Sequence, residues 1–157
     1  MIIGGSASQD LASHVAKELG EEICYVETKK FPDGERYLRI DGQIEDEVTV
    51  IQSTGYPQDE NLMELMFIVS TLKDLGAKKV KVVVPYLGYA RQEKRFKDGE
   101  SVSAKIICNL IEAAGADEFP QHPRYPPHPH HPHRRLPGGP GIPGQGPPEL
   151  GAAGVRL

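Results

Sequence analysis

The sequence VKVVVP at residues 80–85 is an almost unbroken β-branched run, as expected for a strand buried on both faces of a parallel sheet. Short apolar runs and amphipathic runs alternate on the amino-terminal side of this strand. Strands and helices in alternation require crossover connections between parallel strands. The sequence therefore predicts an α/β fold with a mainly parallel sheet and helices on both faces.

Periodicity places the other elements around this strand. Further strands are predicted at residues 1–4, 23–26, 36–40 and 48–52, and another strand is expected to begin at residue 117. Helices are predicted after a Ser8 cap, over residues 59–75, and after a cap at Ser101 or Ser103. Glycines follow the three helices as stop signals, namely Gly20, Gly76 and Gly115.

Side-chain spacing also predicts which helix faces are buried. The first helix is expected to bury Leu11, Val15 and Leu19, with Ala12 beside them. In the second helix Asn61 and Glu64 are expected only to support the first turn.

Composition divides the chain near residue 120. Eleven of the 14 prolines and five of the six histidines lie in residues 120–157, where Lys is absent and Glu149 is the only acid. Frequent proline forbids helix and inner strand, and the segment buries too little apolar surface to offset its ordering entropy. We expect an N-terminal domain over residues 1–119 and a disordered low-complexity tail over residues 120–157.

The tail invites two further interpretations. Its histidines suggest metal binding, but the intervening prolines give them no fixed face and no Cys or Asp completes a ligand set, so no native metal site is expected. The composition changes abruptly inside a strand, as a GC-rich gene read in a shifted frame would produce. Our hypothesis is that the authentic sequence stops near Phe119, and an in-frame read through residue 157 would contradict it.

Charge and cysteine content restrict the class of protein. The net charge of −4 argues against a generic nucleic-acid coat, which would be basic. No apolar run is long enough to span a bilayer. Cys24 and Cys108 lie in apolar contexts and are predicted to be buried reduced thiols. We therefore expect a cytoplasmic protein without nucleic-acid or membrane partners.

The run YARQEKRF at residues 89–96 follows the central strand after a short turn. Ligands of open α/β sheets bind at the carboxyl ends of the strands. Arginine and lysine clustered there suit a polyanionic small molecule, because arginine offers a planar fork of donors and lysine a compact charge. Judged by charge alone, this run could equally be a solvent-exposed loop that binds no ligand.

Four groups of short motifs are spread along the chain. They are GGSASQDLA (residues 4–12), KFPDGE (30–35), QSTG (52–55) with NLMEL (61–65), and PYLGYARQEK (85–94) with SAK (103–105). In order and spacing they resemble the ribose-phosphate pyrophosphokinase (phosphoribosyl pyrophosphate synthetase) family across residues 1–119. The FPDGE turn combined with YARQ makes the resemblance highly specific. It implies the N-terminal half of that phosphoribosyltransferase-like fold.

The resemblance also implies an activity and an adenine-side turn. The family uses Mg²⁺ and transfers the diphosphoryl group of ATP to ribose 5-phosphate, giving phosphoribosyl pyrophosphate and AMP for nucleotide biosynthesis. Phe31 would stack on adenine, often from a neighbouring subunit, and Asp33 and Glu35 would accept hydrogen bonds from the base or ribose. From the residues alone, Phe31 also fits a hairpin hydrophobe, and Asp33 fits ordinary turn chemistry.

The family's ATP-binding pair matches Arg91 and Gln92. Arg91 can bracket phosphate oxygens, and Gln92 can donate an amide hydrogen to the nucleotide. Lys94 is predicted to extend this basic rim, as is Arg95, although a solvated loop remains open for both. The turn at residues 4–8 resembles a phosphate cradle but lacks the Gly-Lys-Ser/Thr ending, and it receives no site role.

Other parts of the family pattern have no match. The family's metal-binding histidine follows the strand that begins near Asp117, but the flanks of His122 differ, so no metal ligand is assigned. The family's ribose 5-phosphate loop and its catalytic Lys and Arg loop have no counterpart in these residues. We expect a polypeptide of these 157 residues to be inactive alone.

The nucleotide halves of the family associate, so a homo-oligomer is expected. Two alternatives to an enzyme remain, namely a non-catalytic regulatory homologue and a general nucleotide- or phosphate-binding module. The retention of both the 31–35 turn and the Arg91–Gln92 pair favours the enzyme family.

Overall fold

The computed structural model describes residues 1–119, and the predictions for residues 120–157, including those for His122 and the tail histidines, lie outside the described residues. The described elements are, in order, β1 (Ile2–Gly4), α1 (Gln9–Leu19), β2 (Ile23–Lys30), β3 (Arg36–Ile40), β4 (Glu47–Ile51), α2 (Gln58–Asp74), β5 (Lys79–Val83) and α3 (Ser103–Ala113). No helix among them is long and apolar enough to cross a membrane.

The five strands form one sheet in the order β3-β2-β1-β4-β5. β1 pairs in parallel with β2 and β4, and β4 pairs in parallel with β5. Only β3 runs antiparallel, as the second strand of a hairpin with β2. The mainly parallel sheet is confirmed, and β1 lies at its centre.

Helices cover both faces of the sheet, as predicted. Successive residues of a strand point to opposite faces. Ile2 packs with Ala12 and Ala16 of α1, whereas Ile3 belongs to the larger core beneath α2 and α3. The β-branched side chains that alternate along β4 and β5 therefore contribute to both layers.

The buried face of α1 agrees with the prediction at Ala12 and at the partly buried Val15, but not at the two leucines. Ala12 and Ala16 are buried, whereas Leu11 and Leu19 are 43% and 67% exposed. A Cβ on Gly4 of β1 would lie only 3.0 Å from the Ala12 Cβ, so the helix lies too close to the strand for a leucine there. The two leucines instead line a cavity of about 580 Å³ beside the sheet.

Strand β2 extends four residues beyond its predicted end at Val26. The extension pairs with β3 from Val26 opposite Ile40 to Lys30 opposite Arg36. Its residues are mostly charged and exposed, so the apolar alternation that identified the first half disappears. The antiparallel ladder continues this strand and carries the 31–35 turn away from the parallel core.

The helix ends confirm the glycine signals and correct the serine caps. Gly20, Gly76 and Gly115 have φ angles of 67°, 101° and 115°, the left-handed conformation that glycine tolerates. Ser8 occupies the cap position of α1, but its hydroxyl accepts a bond from the Ser53 amide at 2.8 Å. Val102 precedes α3, and Ser101 and Ser103 bond to each other instead of capping the helix.

At residues 117–119, where a further strand was predicted to begin, the structure has an isolated parallel bridge between Glu118 and Lys81 of β5. The Glu118 carbonyl accepts from the Val82 amide at 2.7 Å, and the Asp117 amide donates to the Val80 carbonyl at 2.9 Å. The Asp117 carboxylate bonds to the Val80 amide and to Lys73, which fixes the start of this segment against α2.

Both cysteines are free thiols. Cys108 is buried, as predicted, but Cys24 is only partly buried and its thiol donates to the Asp41 carbonyl at 3.1 Å. Burial raises the pKa of both thiols, so neither has the low pKa of a reactive cysteine.

Candidate functional site

The carboxyl ends of β1, β4 and β5 lie at one edge of the sheet because these strands are parallel. Three turns leave that edge, at residues 5–8, 52–57 and 84–88. β2 is parallel to β1 as well, so its extension carries the 31–35 turn toward the same side. Both predicted site segments therefore lie on the carboxyl side of the sheet, where ligands of such folds bind.

Glu64 organises this edge from the buried face of α2. Its side chain is 0% exposed, and its carboxylate accepts from the Ser6 amide at 2.7 Å and the Ser6 hydroxyl at 2.6 Å. It also accepts from Gln52 Nε2 at 3.3 Å and from Arg36 Nη1 at 2.8 Å. The Glu64 carboxylate thus connects α2 to three other places: the turn after β1, the end of β4 and the first residue of β3.

The turn after β1, which resembles a phosphate cradle in sequence, makes its hydrogen bonds within the protein. Its Ser6 amide is bonded to Glu64, and its Ala7 amide is bonded to Gln52 Oε1 at 3.1 Å. These donors serve protein acceptors instead of facing a phosphate. Gly5 allows the close approach, because a Cβ at this position would lie 2.3 Å from Gln52 Oε1.

A second acidic residue of α2 holds the base of the hairpin. Glu60 bonds to Lys30 at 2.7 Å and to Arg36 at 3.0 Å. The hydrogen bond from Lys30, reinforced by the charges of Lys30 and Arg36, lowers the pKa of the Glu60 carboxyl below its ordinary value. Arg36 therefore bridges Glu60 and Glu64, so the hairpin is fixed to the first two turns of α2.

Hairpin and helix enclose a cavity of about 290 Å³. Its walls include Glu35 from the predicted site turn, Asp59 and Glu60 from the first turn of α2, and the exposed side chains of Met63 and Phe67. Of the six predicted ATP-binding residues, Glu35 is the one that lines this cavity.

The 31–35 turn is built by its own hydrogen bonds. The Phe31 amide donates to the Glu35 carbonyl at 2.8 Å, and the Glu35 amide donates to Asp33 Oδ1 at 3.1 Å. Gly34 takes a φ of 97°. Ordinary turn chemistry therefore accounts for Asp33 and Gly34, and a contact between Asp33 and a nucleotide remains a prediction.

Phe31 stands at the rim of this turn with 39% of its surface exposed. Its ring packs edge-to-face on Tyr37, with 6.3 Å between the centroids, and the Lys29 ammonium lies 5.7 Å from the Phe31 centroid. An aromatic ring held by its edge and still exposed is suited to stacking on a planar base.

The loop after β5 is fixed where it leaves the sheet. The Gly88 amide donates to Thr54 Oγ1 at 2.8 Å, and a Cβ on Gly88 would lie 2.7 Å from the Thr54 carbonyl oxygen. Tyr89 follows with a φ of 64°, a left-handed conformation that costs a non-glycine residue about 1–2 kcal/mol. Such conformations persist where surrounding contacts hold them, and they are frequent at ligand sites.

The basic residues of this loop differ in how they are held. Arg91 is exposed, and within residues 1–119 its guanidinium has no ion pair or hydrogen bond. Gln92 is partly buried, and its carbonyl accepts from the Ala104 amide at 3.3 Å. Lys94 lies over the Phe96 ring at 5.0 Å, whereas Arg95 bonds to the Glu100 carbonyl. Arg91 is thus the cation best placed to receive an anion.

The first turn of α2 contacts both predicted site segments. Glu60 bonds to Lys30 and Arg36 at the base of the hairpin, and the next residue toward the amino terminus, Asp59, accepts a hydrogen bond from the Tyr89 hydroxyl. This hydrogen bond raises the pKa of the Tyr89 hydroxyl. The loop after β5 that carries Arg91 is called the Arg91 loop below. The consecutive residues Asp59 and Glu60 of α2 therefore connect this loop to the base of the hairpin that carries the 31–35 turn.

A metal site does not emerge from the described part of the chain. No group of three or more His, Cys, Asp or Glu side chains within residues 1–119 is arranged to hold a metal ion. We therefore assign no chemical step to a metal bound by these side chains alone.

Sequence reasoning missed the structural importance of Glu64 and Asp59. A signal for Glu64 was present, because it lies three residues after Asn61 and four before Ile68, on the face of α2 that is buried. A charged residue at such a position requires partners. No comparable pattern marks Asp59, since its partner Tyr89 is exposed and thirty residues away.

The α/β fold and the two segments at its carboxyl edge match those of a known protein family. The family model described as the N-terminal domain of ribose phosphate pyrophosphokinase matches residues 1–115. The chain therefore belongs to this family over its N-terminal domain.

Individual relatives agree with this assignment. The ribose-phosphate pyrophosphokinase of Methanobrevibacter smithii is 82% identical over 119 residues, which are 76% of this chain and 40% of that protein. The enzyme of the same name from Methanothermobacter thermautotrophicus is 67% identical over 118 residues, 75% of this chain and 41% of that protein. The chain spans about 40% of the length of these curated relatives.

A solved structure gives the same result for the fold. The crystal structure of phosphoribosylpyrophosphate synthetase from Mycobacterium smegmatis superposes with a TM-score of 0.72 at 33% identity. The match covers 76% of this chain and 40% of that chain. The predicted N-terminal half of this fold is confirmed.

Proposed function

We propose that residues 1–119 form the ATP-binding half of a ribose-phosphate diphosphokinase. In this reaction the β,γ-diphosphoryl group of ATP moves to the anomeric hydroxyl of ribose 5-phosphate, and phosphoribosyl pyrophosphate and AMP are released. One observation carries the proposal: the 31–35 turn and the Arg91 loop both lie on the carboxyl side of the sheet, and the first turn of α2 bonds to Lys30 and Arg36, which flank the 31–35 turn, and to Tyr89 of the Arg91 loop.

The described side chains supply distinct interactions with the nucleotide. The exposed ring of Phe31 stacks on adenine, and the Glu35 carboxylate accepts from the exocyclic amine or a ribose hydroxyl. Arg91 brackets phosphate oxygens with its guanidinium, which has no partner within residues 1–119, and Gln92 donates its amide hydrogen. Lys94 adds positive charge at the rim, and Asp33 shapes the turn that presents Phe31.

Magnesium and a second copy of the chain complete this proposal. Mg²⁺ is proposed to arrive with the polyphosphate of ATP, since phosphate oxygens are ligands that it prefers. The 31–35 turn is exposed and extends beyond the parallel core on the β2–β3 hairpin. That geometry suits a homo-oligomer, in which the two segments would hold a nucleotide within one protomer or across a pair.

The non-catalytic regulatory alternative is not favoured. A relative that is 82% identical over 119 residues is named as the enzyme itself. The general nucleotide-binding module is likewise less specific than the family match over residues 1–115.

Calorimetric titration with ATP and with AMP tests the proposal. The chain is expected to bind ATP saturably and AMP at least tenfold more weakly, because AMP lacks the two phosphates proposed to meet Arg91 and Gln92. With ribose 5-phosphate added, the 157-residue polypeptide should form no AMP above the blank. Equal affinity for the two nucleotides, or no ATP binding at all, would contradict the proposed site, and turnover would contradict the expected inactivity.

A further inference from the structure

The hydroxyl of Tyr89 donates a hydrogen bond to the carboxylate of Asp59. Tyr89 is 43% exposed, so core packing does not impose this contact. Within residues 1–119 the Asp59 carboxylate has no ion pair, whereas its neighbour Glu60 has two. The Tyr89 hydroxyl is therefore the partner that this part of the structure provides for Asp59.

The contact coincides with the left-handed backbone of Tyr89. Its φ of 64° is disfavoured for any residue with a Cβ. The amide of Gln92 donates back to the Tyr89 carbonyl at 3.3 Å, so residues 89–92 form a turn that begins at this left-handed residue. Arg91 lies inside that turn, and its direction depends on the Tyr89 conformation.

We propose that Tyr89 and Asp59 are positioning residues, whose contact holds the 89–92 turn so that Arg91 and Gln92 are oriented for the phosphates of ATP. The inference rests on the proposed function, which assigns Arg91 and Gln92 to the nucleotide. Preorganisation improves affinity because the turn then loses less conformational freedom on binding. Neither positioning residue needs to touch the nucleotide.

Other hydrogen bonds fix the loop on either side of the 89–92 turn. Gly88 is fixed to Thr54 before the turn, and the Gln92 carbonyl is fixed to α3 after it. Between these two points the Tyr89 hydroxyl provides a side-chain anchor on α2. Removing that hydroxyl should loosen residues 89–92 without unfolding the sheet beneath them.

Tyr89→Phe tests the inference because it removes a single oxygen from an exposed ring. ATP affinity, measured by calorimetry, should fall about fivefold, as expected for the loss of one hydrogen bond that supports binding. The Gln92 amide should exchange its hydrogen several-fold faster, while core amides keep their protection. The matched control is Tyr86→Phe, since Tyr86 is exposed on the same loop and no hydroxyl bond is seen for it within residues 1–119.

A double-mutant cycle with Asp59→Ala separates positioning from direct ligand contact. If the hydroxyl acts through Asp59, Tyr89→Phe should have no further effect on affinity in the Asp59→Ala background. A full additional loss there would mean that the hydroxyl contacts ATP itself, and it would overturn the inference.

The two readouts also separate this inference from the proposed function. Unchanged ATP affinity and unchanged Gln92 exchange in Tyr89→Phe would overturn the positioning role alone. No ATP binding by the wild-type chain would overturn the proposed function and the part of this inference that concerns ATP.

Discussion

Replacing Glu64 with alanine is expected to lower the free energy of unfolding by about 3–5 kcal/mol, the range for breaking a buried charge pair by removing one partner. The Glu64 carboxylate is fully buried and bonded to Arg36 at 2.8 Å. Arg36 is itself only 17% exposed, and the Ser6 amide would also lose its acceptor. Equilibrium unfolding in urea, followed by circular dichroism, measures the change.

Glu60→Ala is the matched control on the same helix. Glu60 also pairs with Arg36, but its side chain is 40% exposed, and solvent screening weakens exposed ion pairs. Glu60→Ala should therefore lower the free energy of unfolding clearly less than Glu64→Ala does. Similar losses for both would show that the buried network does not organise the carboxyl edge of the sheet.

Replacing Arg91 with alanine is expected to weaken ATP binding by about 10- to 100-fold, as for the loss of hydrogen bonds to a charged group. Arg91 is exposed and has no protein partner within the described residues, so its removal should leave the free energy of unfolding nearly unchanged. Calorimetric titration with ATP gives the affinity, and urea unfolding of the same preparation gives the stability.

Lys17→Ala controls for net charge in this experiment. Lys17 is an exposed cation in the last turn of α1, and α1 runs back from the carboxyl edge of the sheet toward the opposite edge. Its removal changes the total charge as Arg91→Ala does, but far from the proposed site. An equal loss of affinity in both variants would indicate general electrostatic attraction instead of a local phosphate contact.

The layout of the fold was readable from the sequence because its signals are local. The β-branched run of β5 and the apolar spacing of α2 each specify an element without reference to the rest of the chain. The alternation of these elements then fixed the parallel sheet. The four-residue extension of β2 was missed, since the hairpin ladder, not apolar alternation, maintains it.

Packing contacts explain the remaining errors. The leucines of α1 were expected inside because their spacing places them on one helix face, but α1 packs against Gly4 through Ala12 and leaves both leucines exposed. Ser8 is the cap residue of α1 as predicted, but its hydroxyl accepts from the Ser53 amide of a distant turn instead of from the helix. Such choices depend on which residues meet in three dimensions, and local spacing patterns do not reveal those contacts.

The candidate site, too, was predicted only in part from the sequence. The loop that carries Arg91 was predicted at the carboxyl ends of the strands, and the topology confirms that position. The bonds that join this loop to the hairpin through Asp59 and Glu60 could not be inferred, because they connect residues about 30 positions apart through ordinary surface side chains. The roles of Phe31, Asp33, Glu35, Arg91, Gln92 and Lys94 in nucleotide binding remain predictions.

A crystal structure of the chain with bound ATP is the most direct test of the central claim, that one nucleotide is held by the 31–35 turn and the Arg91 loop together. We expect adenine to stack on the Phe31 ring and a phosphate oxygen of the same ATP to accept from the Arg91 guanidinium, within one protomer or across a pair. ATP bound elsewhere, or ATP that contacts one of these two residues while the other remains in solvent, would contradict the claim.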